Sequence, residues 1–189
     1  MNNYIPIAQL NDFIFCPYSI YLHNIYKDCD DLVYKATPQL NGSMFHSSID
    51  KKLTYHNNDL IYSLSVCSVQ YRIYGRIDAY RLSTNTLVER KYRLSQIYQG
   101  QIYQLWAQYL CMLEMGYKVT RIGFYEISTN KSTFLQLPTR LDLEEFSRFL
   151  ENFRNYDPYR SHITITPNKC QHCIYNNLCD KTTIENVYK

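Results

Sequence analysis

The sequence predicts an α/β (α+β) protein in which a mixed sheet is flanked by helices. Apolar residues make up 46% and charged residues 20% of the 189 positions, which is ordinary globular usage and excludes a disordered chain. Hydrophobic periodicity changes along the chain in the order helix, helix, strands, helix, strands, helix. The length suits one unit, so we expect residues 1–189 to form a single domain.

The first third of the chain predicts two helices and a strand region. A helical pattern covers about residues 7–26 and is interrupted at Cys16-Pro17, because proline cannot continue a helix. A second helix is predicted over residues 38–56, with proline suited to its first turn. From Leu60 to Tyr80 the chain is rich in β-branched and aromatic residues. Within that run, apolar and polar positions alternate as in a half-buried strand: Val69, Tyr71 and Ile73 against Gln70, Arg72 and Tyr74.

The middle of the chain predicts a strand, a long helix and their boundaries. Gly75 is expected at a bend or bulge between strand pieces. A polar turn at residues 83–85 precedes a strand over Thr86–Lys91. The segment from Ser95 to Met115 predicts a helix that ends at Gly116 in a left-handed cap. Its expected apolar face comprises Ile97, Ile102, Leu105, Trp106, Tyr109, Leu110 and Leu113.

The remaining elements are two strands, a helix and a cysteine-bearing tail. The strands are predicted at about Val119–Ile127 and Ser132–Leu137, with a turn at residues 128–130 between them. An amphipathic helix is predicted over Leu141–Asn155. From Pro158 onward the periodicity fades.

Charge and cysteine content restrict the possible functions. The net charge of +3 is too small for bulk attraction to polyanions, so a nucleic-acid site must be a local patch. No apolar run reaches the length of a membrane span, and residues 1–6 lack signal-peptide character. We therefore expect a cytoplasmic protein without membrane contact. In a reducing compartment, seven cysteines favour metal or cluster ligation over disulfides.

Two carboxylates and a lysine form the first candidate site. Gly75-Arg76-Ile77-Asp78 is followed ten residues later by Glu89-Arg90-Lys91. Period-two geometry places the Glu89 and Lys91 side chains on one face of a strand, and Asp78 can converge on that face across a hairpin. Two carboxylates can hold a divalent cation, as phosphodiester cleavage requires, and a lysine can stabilise developing charge. An isolated Glu-x-Lys is more often a salt-bridged strand; the apolar neighbours Leu87 and Val88 favour a central strand instead.

A histidine and a cysteine set are the other candidates. His46 would complete a three-ligand metal site with the two carboxylates, although a helical histidine is often structural. Cys170, Cys173 and Cys179 have spacing typical of a metal or cluster site, with Cys16 as the best fourth ligand. Zinc prefers two paired knuckles, but a zinc site using His172 stays open. The other cysteines are interpreted as packing residues: Cys29, Cys67 and Cys111.

Together these motifs resemble the RecB-like PD-(D/E)xK nucleases. They are most similar to the CRISPR-associated exonucleases of the fourth Cas family, nearly end to end. The matching segments are residues 11–17, 41–46, 75–78 and 89–91, with the three carboxy-terminal cysteines. Residues 13–17, 104–109 and 114–117 are similar to the form that accompanies type V systems. The RecB Gln-x3-Tyr motif is altered, since Gln108 occupies the tyrosine place. We assign its roles to Gln104 and Tyr109; Gln99 with Tyr103 is the alternative, but Gln99 lies at the expected helix start.

The resemblance implies a RecB-like fold, a metal-dependent single-stranded DNA exonuclease and an iron–sulfur cluster. His46, Asp78, Glu89 and the Arg90 carbonyl would bind Mg²⁺ or Mn²⁺, while Lys91 would orient the water. Cys16, Cys170, Cys173 and Cys179 would hold a 4Fe–4S cluster that joins residues 1–30 to 160–189.

The family trims DNA ends (prespacers) for insertion by the CRISPR integrase complex, so DNA and that complex are the expected partners. Two alternatives are a stand-alone RecB-like repair nuclease and a non-catalytic DNA-binding accessory module. A zinc-binding structural protein is a third.

Overall fold

The structure is a computed structural model that describes residues 4–26, 59–164 and 166–182. His46, Cys29 and the helix predicted over residues 38–56 lie outside the described residues. The predicted class is confirmed, since mixed sheets flanked by helices form the described part.

The amino-terminal elements are a short strand and two helices that meet at a break. Strand β1 (Ile5–Pro6) leads into α1 (Gln9–Phe15) and α2 (Pro17–Tyr26). Between the helices Cys16 is extended, with φ −159°, because Pro17 cannot donate the next helical hydrogen bond. The predicted interruption is therefore confirmed.

A long bent hairpin follows. Its strands are β2 (Leu60–Tyr62), β3 (Ser65–Ser68), β4 (Ile73–Arg76) and β5 (Ala79–Arg81). β2 pairs with β5 and β3 with β4 in one continuous antiparallel register. The hairpin bends between these halves, where Ser63 has φ +53° and the Ile77 N–H donates to the Leu64 carbonyl. The bend sends one half of the hairpin into each of two sheets.

The two sheets share this hairpin. The smaller has the order β1-β4-β3, with β1 parallel to β4. The larger has the order β2-β5-β6-β7-β8, where β6 is Thr86–Lys91, β7 is Arg121–Glu126 and β8 is Lys131–Leu135. β6 and β7 are parallel, and the other pairs in this sheet are antiparallel. The parallel pair requires a crossover, which the following helix provides.

That crossover helix, α3 (Gln99–Glu114), covers one face of the sheets and contacts α1. It ends before Gly116, whose φ of +87° confirms the predicted left-handed cap. Helix α4 (Arg140–Asn155) packs its aromatic face on α1 and α3, with the Tyr103 and Phe146 ring centroids 5.1 Å apart. In the tail, α5 (Pro167–Gln171) and a 3₁₀ turn (Asn176–Leu178) follow.

Two groups of buried side chains hold these elements together. The larger lies between α3 and the sheets and includes Leu87, Leu105 and Phe124. The smaller joins α2 to the tail through Tyr18, Leu22 and Tyr175. Among the described helices, none has the length and apolar character needed to cross a membrane.

The predicted alternation at residues 69–74 is wrong, because Val69–Arg72 forms a turn. Val69 is 66% exposed and Arg72 has φ +47°. Ser68 and Glu114 stabilise the turn: the Glu114 carboxylate accepts from the Ser68 hydroxyl and from the N–H of Val69 at 2.8 Å. Glu114 lies at the end of α3, so a tertiary contact decides this turn.

Gly75 does not bend the strand, contrary to the prediction. It lies inside β4 and pairs with Val66 in regular register. A Cβ at Gly75 would approach the Ile7 Cβ to 3.0 Å. Glycine is therefore required for the close approach of the amino-terminal segment, and the bend falls two residues later.

The long helix begins at Gln99, four residues after its predicted start at Ser95. The Leu94 N–H donates to the Glu126 carboxylate at 3.0 Å, which ties this segment to the end of β7 and away from the helix axis. Leu113, predicted on the apolar face, is 41% exposed. The strands predicted at Val119–Ile127 and Ser132–Leu137 are each shorter, as β7 and β8.

Candidate functional site

Asp78 lies at the hairpin bend, between β4 and β5, whereas the sequence pattern predicted it on the strand that precedes β6. The Ala79–Val88 pair places it beside Glu89 on the neighbouring strand. Its Oδ2 accepts a hydrogen bond from the Arg90 N–H at 2.7 Å. The bend therefore fixes the Asp78 carboxylate at the edge of the sheet, next to β6.

Glu89 and Lys91 lie on the face of β6 that is turned toward α3. The Lys91 Nζ donates to the Glu89 Oε1 at 2.8 Å. Glu89 is only 8% exposed, whereas a quarter of the Lys91 side chain (25%) is exposed, so the carboxylate is shielded from solvent and the ammonium is partly accessible. Asp78, Glu89 and Lys91 line one open pocket, as the alternation along β6 and the hairpin spacing had suggested.

Electrostatics in this pocket disfavour two charged carboxylates so close together. Burial and the neighbouring Glu89 charge raise the pKa of Asp78 to about 7. Burial alone would lower the pKa of Lys91, but Glu89, Asp78 and Asp12 raise it above its ordinary value. Lys91 is therefore an ammonium at neutral pH, and a divalent cation would relieve the repulsion between the carboxylates.

Gln108 of α3 completes the polar part of the pocket, and it was not among the predicted site residues. Its Nε2 donates to the Glu89 Oε2 at 2.7 Å and to the Arg76 carbonyl at 3.3 Å. The side chain is 3% exposed, and its Oε1 accepts no hydrogen bond within the described part of the chain. The sequence did contain a pattern that could have identified Gln108 as a site residue, because Gln108 occupies the tyrosine position of the Gln-x3-Tyr motif.

The two residues assigned to that motif lie in different places. Gln104 lines the pocket, one helical turn before Gln108, and its Nε2 donates to the Ala8 carbonyl at 3.2 Å. Tyr109 packs against the main group of buried side chains and is not among the residues that line the pocket. Burial raises the pKa of Tyr109.

Asp12 of α1 is a second residue that sequence reasoning missed. Burial raises its pKa, while His23 and Lys91 act in the opposite direction. This interaction places an α1 carboxylate near the Lys91 ammonium. No motif in the sequence marks Asp12, since its relation to Lys91 depends on how α1 packs.

The donor set fits a divalent cation by its chemistry. The carboxylates of Asp78 and Glu89 and the Gln108 Oε1, which accepts no hydrogen bond within the described residues, all offer oxygen ligands. Mg²⁺ and Mn²⁺ prefer such hard oxygen ligands. His46, the third predicted side-chain ligand, lies outside the described residues. In residues 4–26, 59–164 and 166–182, no three His, Cys, Asp or Glu side chains lie within reach of one metal ion. The Arg90 side chain lies on the opposite face of the sheet, as the alternation along β6 requires.

The four predicted cluster cysteines line one cavity between α2 and the tail. Cys16 comes from the α1–α2 break, Cys170 from α5, and Cys173 and Cys179 flank the 3₁₀ turn. The space that a water-sized sphere can occupy there measures about 40 Å³, more than the roughly 10–15 Å³ that one water needs. The cavity thus has room for a group larger than water.

The residue types around this cavity suit a thiolate-bound group, but within the described residues no three of the cysteines lie within reach of one metal ion. Burial and the other cysteines raise the pKa of Cys173, so clustered thiolates need compensating positive charge. Lys169 and Lys181 also line the cavity. His172 does not line it and lies in the adjacent groove with His23. Cys67 is exposed, so its predicted packing role is wrong, whereas Cys111 is buried in the main core, which confirms its predicted packing role.

Two side-chain contacts beside this cavity join residues more than 150 positions apart in the chain. The Tyr18 hydroxyl donates to Asp180 at 2.7 Å, and the His23 Nδ1 lies 3.0 Å from the Tyr175 hydroxyl. Both bonds join α2 to the tail. The cysteines are therefore brought together by α2–tail packing that the sequence spacing alone does not show.

The fold and these positions define an α+β protein with a bent hairpin, a parallel β6–β7 crossover and polar residues at the bend. A solved crystal structure, that of the protein SSO0001, shares this fold with a TM-score of 0.64 over 97% of this chain and 89% of that chain. The two sequences are 16% identical, so the similarity concerns the fold alone. No protein family profile and no curated protein sequence matches the chain.

Proposed function

We propose that this protein is a metal-dependent nuclease that hydrolyses phosphodiester bonds at single-stranded DNA ends. The observation that carries the proposal is the convergence of Asp78, Glu89 and Lys91 in one pocket, from a hairpin bend and a neighbouring strand. The RecB-like motif resemblance points to the same residues. A surface salt bridge would not require a buried glutamate that also accepts from Gln108.

The division of roles follows from charge and position. Asp78, Glu89, the Arg90 carbonyl and His46 would hold Mg²⁺ or Mn²⁺, which would supply Lewis-acid stabilisation of the phosphate oxygens. Lys91, held charged by Glu89, hydrogen-bonds the attacking water and stabilises negative charge that develops on the phosphate. Gln108 fixes the orientation of Glu89 through its amide.

The cysteine cavity would hold a 4Fe–4S cluster in a structural role. Cys16 and the three tail cysteines line one cavity, and two lysines at its wall offset thiolate charge. A cluster there would join chain segments more than 150 residues apart, which restricts the unfolded chain strongly. No redox reaction is needed for that role.

We further propose that the DNA ends are prespacers and that the CRISPR integrase complex is the partner in the cytoplasm. This proposal depends on the similarity to the fourth Cas family. The modest net charge agrees with it, because a small local patch holds DNA weakly and benefits from a partner that presents the end.

Cleavage of an end-labelled single-stranded oligonucleotide tests the nuclease. We expect cleavage in Mn²⁺ or Mg²⁺, and its loss in Asp78→Ala and Glu89→Ala with the fold retained by circular dichroism. Glu151→Ala on α4 is the matched control and should cleave like wild type. Wild-type cleavage by Glu89→Ala would remove the nuclease assignment.

Co-expression with a cognate integrase tests the pathway separately. We expect co-purification that increases when processed DNA ends are present. Cleavage without association under these conditions would favour the repair nuclease over the prespacer enzyme.

A further inference from the structure

The face of the five-stranded sheet opposite α3, here called the back face, has a regular pattern of side chains. Because β6, β7 and β8 keep one register, Thr86, Val88 and Arg90 share this face with alternate residues of the neighbouring strands. Three rows cross the sheet and together line one open groove.

The middle row forms a shallow floor. It contains Ala79, Val88 and Gly123, which pair in order across β5, β6 and β7. Tyr62 and Phe134 close the two ends of this row. A Cβ at Gly123 would come within 2.6 Å of the Thr133 carbonyl oxygen and 2.8 Å of the Phe134 ring, so glycine allows both the β8 backbone and that ring to approach β7 closely. The result is a groove with a small-residue floor and aromatic ends.

Arginines flank the floor on both sides. Arg81 and Arg121 pair with Thr86 from opposite strands, so they lie about 10 Å apart across the sheet. Arg90 is four residues further along β6, roughly 13 Å from that row. Among the described residues that line the groove, none is acidic, although Asp59 pairs with Arg81 at 3.0 Å.

Two of the arginines lie over aromatic rings, of which the Phe134 ring is exposed and the Tyr125 ring is half-buried. The Arg121 guanidinium is 4.9 Å from the Phe134 ring centroid, and that of Arg90 is 6.0 Å from Tyr125. Phe134 is 47% exposed. Exposed aromatic rings interleaved with arginines on a sheet can stack bases and contact phosphates at the same time.

From this arrangement we propose that the back face is a second binding surface, for single-stranded DNA, separate from the carboxylate pocket. The surface is positive and carries base-stacking rings, which suits a single strand better than an apolar protein segment. Its floor is apolar, and the Thr86 hydroxyl is already bonded to Thr84, so the middle of the groove offers few partners to a ribose 2′-hydroxyl. The proposal concerns binding and does not rest on the nuclease.

Fluorescence anisotropy of a labelled oligo-dT of about 12 nucleotides, in EDTA, tests it. For the double variant Arg81→Gln/Arg121→Gln we expect at least about tenfold weaker binding and a salt slope smaller by about 1.4, as two phosphate contacts predict. Phe134→Leu keeps an apolar cover over Gly123 and should weaken binding on the order of tenfold without changing the salt slope.

Arg140→Gln/Arg160→Gln is the control, because it removes equal charge from two exposed arginines, each with a carboxylate partner as Arg81 has. It should bind like wild type. The titration is done in EDTA, where no divalent metal is available to the carboxylate pocket, so the result does not depend on nuclease activity. Thermal melts establish that each variant is folded. Equal binding by the two double variants would overturn the proposal. Stronger binding of oligo-rU than of oligo-dT would also overturn it. A third contradicting result would be a wild type that binds no DNA but self-associates, with the self-association abolished by Phe134→Leu.

Discussion

The amide Nε2 of Gln108 lies 2.7 Å from the Oε2 of Glu89, and the ammonium of Lys91 lies 2.8 Å from the other oxygen of the same carboxylate. The buried glutamate is therefore held from two elements, a helix and its own strand. This arrangement ties the geometry of the pocket to the packing of α3 on β6.

Replacing Gln108 should change how well Glu89 is positioned. We expect Gln108→Ala to lower the cleavage rate on the order of tenfold and to raise the Mn²⁺ concentration needed for half-maximal rate, because Glu89 would gain rotamer freedom. Gln108→Glu should lower the cleavage rate further than Gln108→Ala, since it adds a third carboxylate to the pocket. End-labelled cleavage over a metal titration measures both effects.

Tyr109→Phe is the control for that experiment, since Tyr109 does not line the pocket. It should remain close to wild type in rate and metal requirement. A large loss of cleavage in Tyr109→Phe, with little effect in Gln108→Ala, would show that Tyr109 and not Gln108 performs the role of the motif tyrosine.

Lys91→Ala should separate metal binding from turnover. We expect the rate to fall by a factor on the order of 10²–10³, because one charge stabiliser is lost, while a divalent cation still binds. Lys91→Arg keeps the charge and should retain more activity than the alanine variant. Calorimetric Mg²⁺ titration beside single-turnover cleavage checks this, with the exposed Lys131→Ala as control. Loss of Mg²⁺ binding in Lys91→Ala would contradict the assigned role.

The tail cysteines should matter more for stability than the other thiols. Protein purified without oxygen should be brown and carry iron near four per chain. Cys170→Ala should lose colour and melt several degrees lower, because the α2–tail link is lost. Cys67→Ala, an exposed thiol on β3, should keep both properties. Stoichiometric zinc without iron in an anaerobic preparation would exclude the iron–sulfur cluster.

Asp78 should make the metal-free protein less stable as the pH rises. Its pKa of about 7 in the folded chain lies above the unfolded value near 4, so its contribution is complete below pH 4 and is lost as the pH passes 7. Asp78→Asn stays neutral and can still accept from the Arg90 N–H. In EDTA at pH 8 we expect the variant to be at least about 1 kcal/mol more stable than wild type.

Urea unfolding from pH 4 to pH 8 measures this difference, which should shrink as the pH falls. Added Mg²⁺ should stabilise wild type and leave the variant unchanged, because ligand binding to the folded state adds to its stability. A wild type that gains stability over the variant between pH 5 and pH 8 in EDTA would contradict the expectation.

Local patterns in the sequence were enough to place most elements. β6 over Thr86–Lys91 and the cap at Gly116 agree with the prediction, because residue alternation and left-handed glycine are local properties. The shared face of Glu89 and Lys91 follows from the same period of two. The helix break at Cys16-Pro17 needs only the missing proline donor.

Tertiary packing decided the rest. The turn at residues 69–72 depends on the Glu114 carboxylate. The glycine at position 75 allows Ile7 to approach β4 closely. Glu114 and Ile7 are both distant in sequence from the residues that they contact. The same is true of Gln108, whose contact with Glu89 exists only because α3 crosses β6. Sequence alone determined which residues could share a strand or helix face; long-range contacts determined which of those faces meet.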